Sequence, residues 1–192
     1  PIVGSMVGTD QEGDECKKLL STQQMSSEGI LPVDYRPTTV KTRVIGHHQQ
    51  IVRIDAETDK NISPETTALL FDKIKKIITE QTIDAIIFED YDKGVITETL
   101  IKLVVDLATQ KELIVVVDPK KRNFLHYKNV TLFKPNLKEL REGLKMDIQP
   151  KNNLDAADNI LQQPLNVQMV MVTLSEVGAY ISSEQGSKTI PG

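Results

Sequence analysis

The sequence predicts an α/β protein: a mostly parallel sheet flanked by helices, with a small β-hairpin set apart from it. Three observations carry this expectation. From Ser63 onward, short apolar runs alternate with helix-length stretches whose apolar residues recur every three or four positions. Leu113-Ile114-Val115-Val116-Val117 is apolar without a break, as in a parallel strand covered on both faces. Between Val40 and Asp55 the rhythm has period two around Gly46-His47-His48, which marks an antiparallel hairpin.

The elements follow in order. Ile2-Val3-Gly4 reads as a strand already under way, so the chain is expected to be cut at its start, and Pro191-Gly192 reads as a second cut. Asp10 caps a first helix, with Cys16, Leu19 and Leu20 on one face. The stretch from Ser26 to Pro37 reads as loop, broken by Gly29, Pro32 and Pro37. The hairpin follows, and Lys41 and Arg43 share one of its faces because side chains alternate along a strand. Ser63 caps a helix with Pro64 at its first position, and Leu69, Leu70, Ile74, Ile77 and Ile78 form its core face. Ala85-Ile86-Ile87-Phe88 is a short strand. Thr97 caps a helix carrying Ile101, Val104, Val105 and Ala108. Strands at 113–117 and 130–133 lead to a helix opened by Asn136, with Leu137, Leu140 and Leu144. A helix over 154–161, a strand over 167–173 and a returning strand over 178–182 complete the chain.

Composition narrows the function. The 192 residues carry 26% charged and 39% hydrophobic side chains, which suits an ordinary folded domain. A net charge of -4 gives the whole molecule no attraction for nucleic acid. No apolar run reaches membrane-span length, and no signal peptide is visible. Cys16 is the single cysteine, so neither a disulfide nor a zinc cluster is expected, and the setting predicted is cytoplasmic. His47 and His48 are adjacent on a strand turn and point apart, so they are read as turn residues rather than ligands.

In folds of this class, ligands sit beyond the carboxyl ends of the strands. Four such ends here carry Glu89 to Gly94, Asp118-Pro119-Lys120-Lys121, Lys134-Pro135-Asn136 and Thr173-Leu174-Ser175. Lysines neutralise phosphate, hydroxyls and amides bind its oxygens, and carboxylates hold sugar hydroxyls or magnesium. No G-x-x-x-x-G-K-[ST] loop is present, and Gly4, Gly8 and Gly13 are too widely spaced for a dinucleotide fingerprint. Asn136 and Glu139 have the spacing of a helix capping box, and Thr173, Ser175 and Gly178 that of a hairpin turn. Both readings are compatible with a binding role. The charges of the Asp90 and Asp118 loops also fit a plain solvated rim.

Read together, these motifs resemble one family. Val7-Gly8-Thr9-Asp10-Gln11-Glu12-Gly13 is similar to the strand-to-helix turn of ribokinase-type (PfkB-family) sugar kinases. Arg36-Pro37-Thr38-Thr39-Val40-Lys41-Thr42-Arg43 and Gln49 to Asp55 resemble the lid of the branch that phosphorylates heptose 7-phosphate. Asp90 to Val95, Val117 to Lys120, Lys134 to Glu139 and Val172 to Gly178 occur in that branch's order.

The resemblance implies a ribokinase-like fold with a lid over about 38–56, and transfer of the γ-phosphoryl group of ATP to a sugar. D-glycero-D-manno-heptose 7-phosphate, attacked through its anomeric hydroxyl, is the sugar it implies. It assigns the nucleotide to Asn136, Leu137, Lys138, Glu139, Thr173, Ser175 and Gly178, with Glu139 holding magnesium through water. Lys41, Arg43, Arg53, Asp90, Lys93, Asp118 and Lys120 are the expected sugar-phosphate contacts. The lid is also expected to pair two subunits. The family's catalytic Asp lies in a Gly-Ala-Gly-Asp motif that this sequence lacks; it is expected beyond Gly192, and a sugar-binding Gly-Gly segment before Pro1. No visible acid takes the place of that base. Another sugar or nucleoside kinase of the same fold, or a non-catalytic binding remnant, remains a competing expectation.

Overall fold

The computed structural model describes residues 1–47, 49–149 and 154–192. They form two compact units, Pro1–Glu80 with Lys93–Val95, and Gln81–Asp92 with Ile96–Gly192.

The first unit opens with β1 (Ser5–Gly8), α1 (Gln11–Thr22) and β2 (Ile30–Val33). β1 and β2 pair in parallel, and Ile2 makes a separate parallel bridge to Ser26. The chain therefore starts its sheet later than Ile2-Val3-Gly4 suggested. β2 also corrects the loop expected from Ser26 to Pro37. Among the described residues its only partner is β1, so it is an edge strand, where the missing N–H of Pro32 is tolerated. Asp10 caps α1 by accepting from Gly13 N at 2.8 Å. The same carboxylate accepts from Thr38 N (2.8 Å) and Thr38 Oγ1 (2.5 Å), while Thr38 Oγ1 accepts from Gly8 N. These bonds, the Thr38 hydroxyl foremost, hold the Asp10 carboxyl below its ordinary range. Leu19 is exposed rather than part of an apolar face.

β3 (Val40–Gly46) and β4 (Gln49–Ala56) form the expected antiparallel hairpin, with a register shift between Val44 and Ile45. His47 takes φ 48° at the turn; His48 lies outside the described residues. α2 (Pro64–Glu80) follows. Leu70 and Ile78 are buried on it, but Leu69 is exposed, so the core face is narrower than the sequence suggested; Thr66 and Thr67 fill part of it.

The second unit holds β5 (Ala85–Glu89), α3 (Glu98–Gln110), β6 (Ile114–Asp118), β7 (Leu132–Phe133), α4 (Leu137–Leu144), α5 (Leu154–Leu165), β8 (Met169–Thr173), β9 (Ala179–Ser183) and β10 (Gly186–Ile190). The sheet order is β10-β9-β8-β7-β6-β5, parallel from β5 to β8 and antiparallel at β9 and β10. Phe88, Val115, Val117, Phe133, Val170, Val172 and Tyr180 are buried on one face of this sheet. α3 packs on β6, and α4 and α5 pack on β8. On the other face Ile87, Ile114 and Met169 are exposed. The expectation that 113–117 is covered on both faces is thus corrected for the described residues. The core also takes in Phe124 and Tyr127 from the loop after β6, stacked edge-on to Phe133 and Phe88.

Strand β10 was not foreseen. Its residues carry almost no apolar pattern, and it is an exposed edge whose register is set by the turn before Gly186.

Candidate active site

The strand ends of the second unit are laced in sequence order. Asp90 N donates to Asp118 O, Lys134 N to Val117 O and Thr173 N to Pro135 O, and Asn136 forms a parallel bridge with Thr173. Backbone pairing alone therefore brings Asp118, Lys134, Asn136 and Thr173 to one edge.

Asn136 starts α4 with a complete capping box. Its side chain accepts from Glu139 N (2.9 Å), and Glu139 Oε2 accepts from Asn136 N (2.8 Å). Glu139 is 7% exposed, and its second oxygen, Oε1, accepts from Lys120 Nζ. Burial works against the Lys120 charge, but Glu139 and then Asp118 outweigh it and hold the ammonium pKa above its ordinary value. Asp118 in turn pairs with Lys134 at 3.1 Å. The result is an edge of alternating carboxylates and ammonium groups. Lys134 was not among the sequence-predicted contacts, though it directly precedes Pro135-Asn136.

The remaining nucleotide candidates differ in setting. Lys138 is exposed and lies 3.9 Å from Glu142. Leu137 is half-buried at the first helical position. Ser175 takes φ 54°, and Gly178 takes φ 111° where an added Cβ would lie 2.0 Å from Ile190 O. A short 3-10 turn joins β8 to β9 between them. The site at Gly178 is therefore open only to glycine.

Asp90 is 3% exposed, and its oxygens are fully engaged. It accepts from Tyr127 Oη (2.7 Å), Asn123 Nδ2 (2.9 Å) and Asp92 N (2.9 Å). This carboxylate organises its own loop. Burial, then the Asp90 charge, pushes the Asp92 carboxyl up, and Asp92 adopts φ 54°. Asn123 and Tyr127, both missed in the sequence, sit in a stretch without helix or strand periodicity.

The first unit holds a second charged group. On the hairpin, Lys41 lies opposite Asp55 and Arg43 opposite Arg53, all on one face. Arg53 reaches Asp55 at 2.9 Å, and Lys41 lies 3.9 Å from Asp55. Glu57, just past β4, meets both Lys93 Nζ (2.5 Å) and Lys41 Nζ (3.1 Å). These two lysines, Lys93 first, hold the Glu57 carboxyl below its ordinary range. Arg43 makes no ion pair among the described residues. The structure thus gathers Lys41, Arg43, Arg53 and Lys93 in one unit, and Asp118, Lys120, Asn136, Glu139 and Thr173 in the other. Asp55 and Glu57 are the counter-charges sequence reading passed over. Their every-second-residue spacing with Arg53, through β4 and just past its end, was the available signal.

The chain as a whole is similar to known proteins. The profile described as pfkB family carbohydrate kinase covers residues 3–192. The chain belongs to this family. Its relatives include the bifunctional protein HldE of Helicobacter pylori strain J99, 36% identical over 173 residues, covering 90% of this chain and 37% of that protein. HldE of Wolinella succinogenes is 34% identical over 186 residues, covering 97% of this chain and 39% of the relative. The pfkB chain therefore spans well under half the length of these relatives. Ribokinase from Giardia lamblia has the same fold, with a TM-score of 0.73 at 17% identity, over 99% of this chain and 58% of that one. The expected ribokinase-like α/β fold is thereby established. Among the described residues, no helix is long and apolar enough to cross a membrane.

Proposed function

We propose that this pfkB-family chain serves a kinase that transfers the γ-phosphoryl group of ATP to a sugar already carrying a phosphate. D-glycero-D-manno-heptose 7-phosphate is the proposed substrate, and its anomeric hydroxyl the acceptor. The observation that carries the reading is the hairpin face, where Arg43 opposes Arg53. Directly opposed like charges destabilise a strand pair, so an anionic ligand between them is the natural complement. Lys41, Arg43, Arg53 and Lys93 outnumber Asp55 and Glu57 by two charges, which suits a phosphate dianion. The likeness to HldE supports the same branch.

In this reading Asn136 and Glu139 serve Mg-ATP. Among the described residues no three acidic, His or Cys side chains gather as a metal cage. Magnesium would be held by phosphate oxygens and water, with Glu139 reaching it through water. The Lys120 ammonium against Glu139 makes this a position where a cation is accommodated. Bound magnesium supplies charge neutralisation on the triphosphate. Lys120 and Lys134 orient and neutralise phosphate oxygens, and Asp118 holds Lys134 in place. Thr173, Ser175 and Gly178 line the adjoining turn. As a lid the hairpin excludes water from the sugar phosphate it binds, and it pairs with a second subunit.

The test is catalytic efficiency on heptose 7-phosphate, free heptose, fructose, ribose and adenosine. Two charged hydrogen bonds to the sugar phosphate give a preference of about a hundredfold or more over free heptose. Equal or better use of an unphosphorylated sugar refutes the substrate and leaves another kinase of this family. Glu139→Gln is expected to lower the rate and shift its magnesium dependence; an unchanged magnesium titration removes Glu139 from the metal shell.

A further inference from the structure

We infer that Glu57 is a positioning residue: its carboxylate sets the Lys41 and Lys93 ammonium groups for the phosphate of a phosphorylated sugar. The inference rests on the substrate reading above and adds a residue to it. Lysine side chains are long and lose considerable rotamer freedom when fixed, so a lysine pair grips an anion well only if something holds it beforehand. Glu57 touches both. Its Oε1 accepts from Lys93 Nζ at 2.5 Å. Lys41 Nζ lies 3.1 Å from Oε2, within ion-pair reach but off the line of a hydrogen bond, and that oxygen has no hydrogen-bond partner.

The lysines come from separate segments, and the backbone under one of them is fixed. The Arg36 guanidinium is nine-tenths buried and donates to both Lys93 O (2.7 Å) and Thr58 O (3.1 Å). Ile62 N donates to Gly94 O at 2.9 Å. Gly94 takes φ 72°, and an added Cβ would lie 2.0 Å from Lys60 O. The segment that carries Glu57 is thus locked to the segment that carries Lys93. Lys41 belongs to β3 of the hairpin, so Glu57 ties the hairpin base to a fixed loop. An ammonium has three donors; Glu57 takes one from Lys93 and holds Lys41 by charge alone. The rest are left for ligand oxygens, with Arg43 and Arg53 farther along the same hairpin face.

A carboxylate that merely cancelled charge would weaken anion binding, and its removal would strengthen it. A positioning carboxylate predicts the opposite sign. In the intact protein, calorimetric titration of Glu57→Gln should show about tenfold weaker binding of heptose 7-phosphate and a change within about twofold for free heptose. Glu57→Asp, too short to span both lysines, should behave like Gln. Adding Glu57→Gln to a variant that carries both Lys41→Ala and Lys93→Ala should cost little more than that double variant alone. Tighter phosphate binding in Glu57→Gln, or an equal loss on both sugars, overturns the inference. If the unsubstituted protein itself fails to prefer the phosphorylated sugar, the substrate reading falls and hydrogen exchange decides the positioning role. Glu57→Gln must then speed exchange at residues 41–43 and 93–95 together; unchanged protection at either segment overturns it.

Discussion

At the scale of single residues, burial decides which charges hold the protein together. Asp90 was legible as a strand-end carboxylate, but its partners were not. Asn123 and Tyr127 lie 33 and 37 residues away, in a loop with no periodic signal. Asp90→Ala would leave the buried Tyr127 phenol without its acceptor, at about 1–3 kcal/mol, and would take one of two acceptors from the Asn123 amide, which keeps Ile96 O. Urea unfolding of the variant, followed at tyrosine, should therefore show a loss of about 2 kcal/mol or more. Asp158 makes a different prediction. It is a buried residue of α5 and accepts from Ser182 Oγ (2.5 Å) and from Gln162 Nε2. Burial pushes its pKa up, against the lowering effect of these bonds. A folded pKa above the unfolded one stabilises most below the unfolded value, and that stability is lost as pH rises through the folded value. Asp158→Asn should therefore gain on the parent protein as pH rises through and above the ordinary Asp range. A gap in stability that is independent of pH between about 3 and 7 would refute this.

At the scale of elements, local signals were read well where caps and periodicity agree. Asn136-x-x-Glu139 reads as a capping box from spacing alone, and the box is present with both hydrogen bonds. β2 and β10 escaped because each is an edge strand, one interrupted by Pro32 and the other almost wholly polar. Their pairing is decided by β1 and β9, which no local window contains. The hairpin was legible as an element, but its cross-strand register was not, and register is what sets Arg43 against Arg53. That opposition implies a trade between stability and function. Arg43→Glu places opposite charges across the pair and should stabilise the hairpin by about 0.5 kcal/mol. It should weaken phosphorylated-sugar binding by about tenfold or more, because one charged hydrogen bond is replaced by repulsion. Hydrogen exchange of the hairpin and sugar titration read the two effects separately. Loss of hairpin protection together with retained binding would contradict both halves.

At the scale of the whole molecule, the sequence conveyed the α/β class and the alternation of strands and helices but not the coverage of the sheet. Continuous apolar strands suggested two covered faces, whereas Ile87, Ile114 and Met169 are exposed among the described residues. The hairpin poses the same question of coverage more sharply. One of its faces carries the cations. The other carries Val44, Val52 and Ile54, 41%, 43% and 58% exposed, with Ile45 and Ile51 exposed near the tip. A two-stranded hairpin is marginal in water without an apolar face packed on something. A second copy of the same hairpin offers a self-complementary apolar surface, and two-fold pairing is the commonest closed arrangement for identical chains. The proposed dimer through the lid follows from this. Val52→Lys and Ile54→Lys place charges in the middle of that face and leave the cationic face untouched. Each variant should sediment as a monomer at concentrations where the parent protein is a dimer, and circular dichroism of the two should coincide. Hairpin amides should exchange faster in the variants, because the apolar face is then left to water. Sugar phosphate should restore part of that protection through Lys41, Arg43 and Arg53. A parent protein that sediments as a monomer with or without sugar phosphate would refute pairing through the lid, leaving the hairpin to act as a cover within one chain.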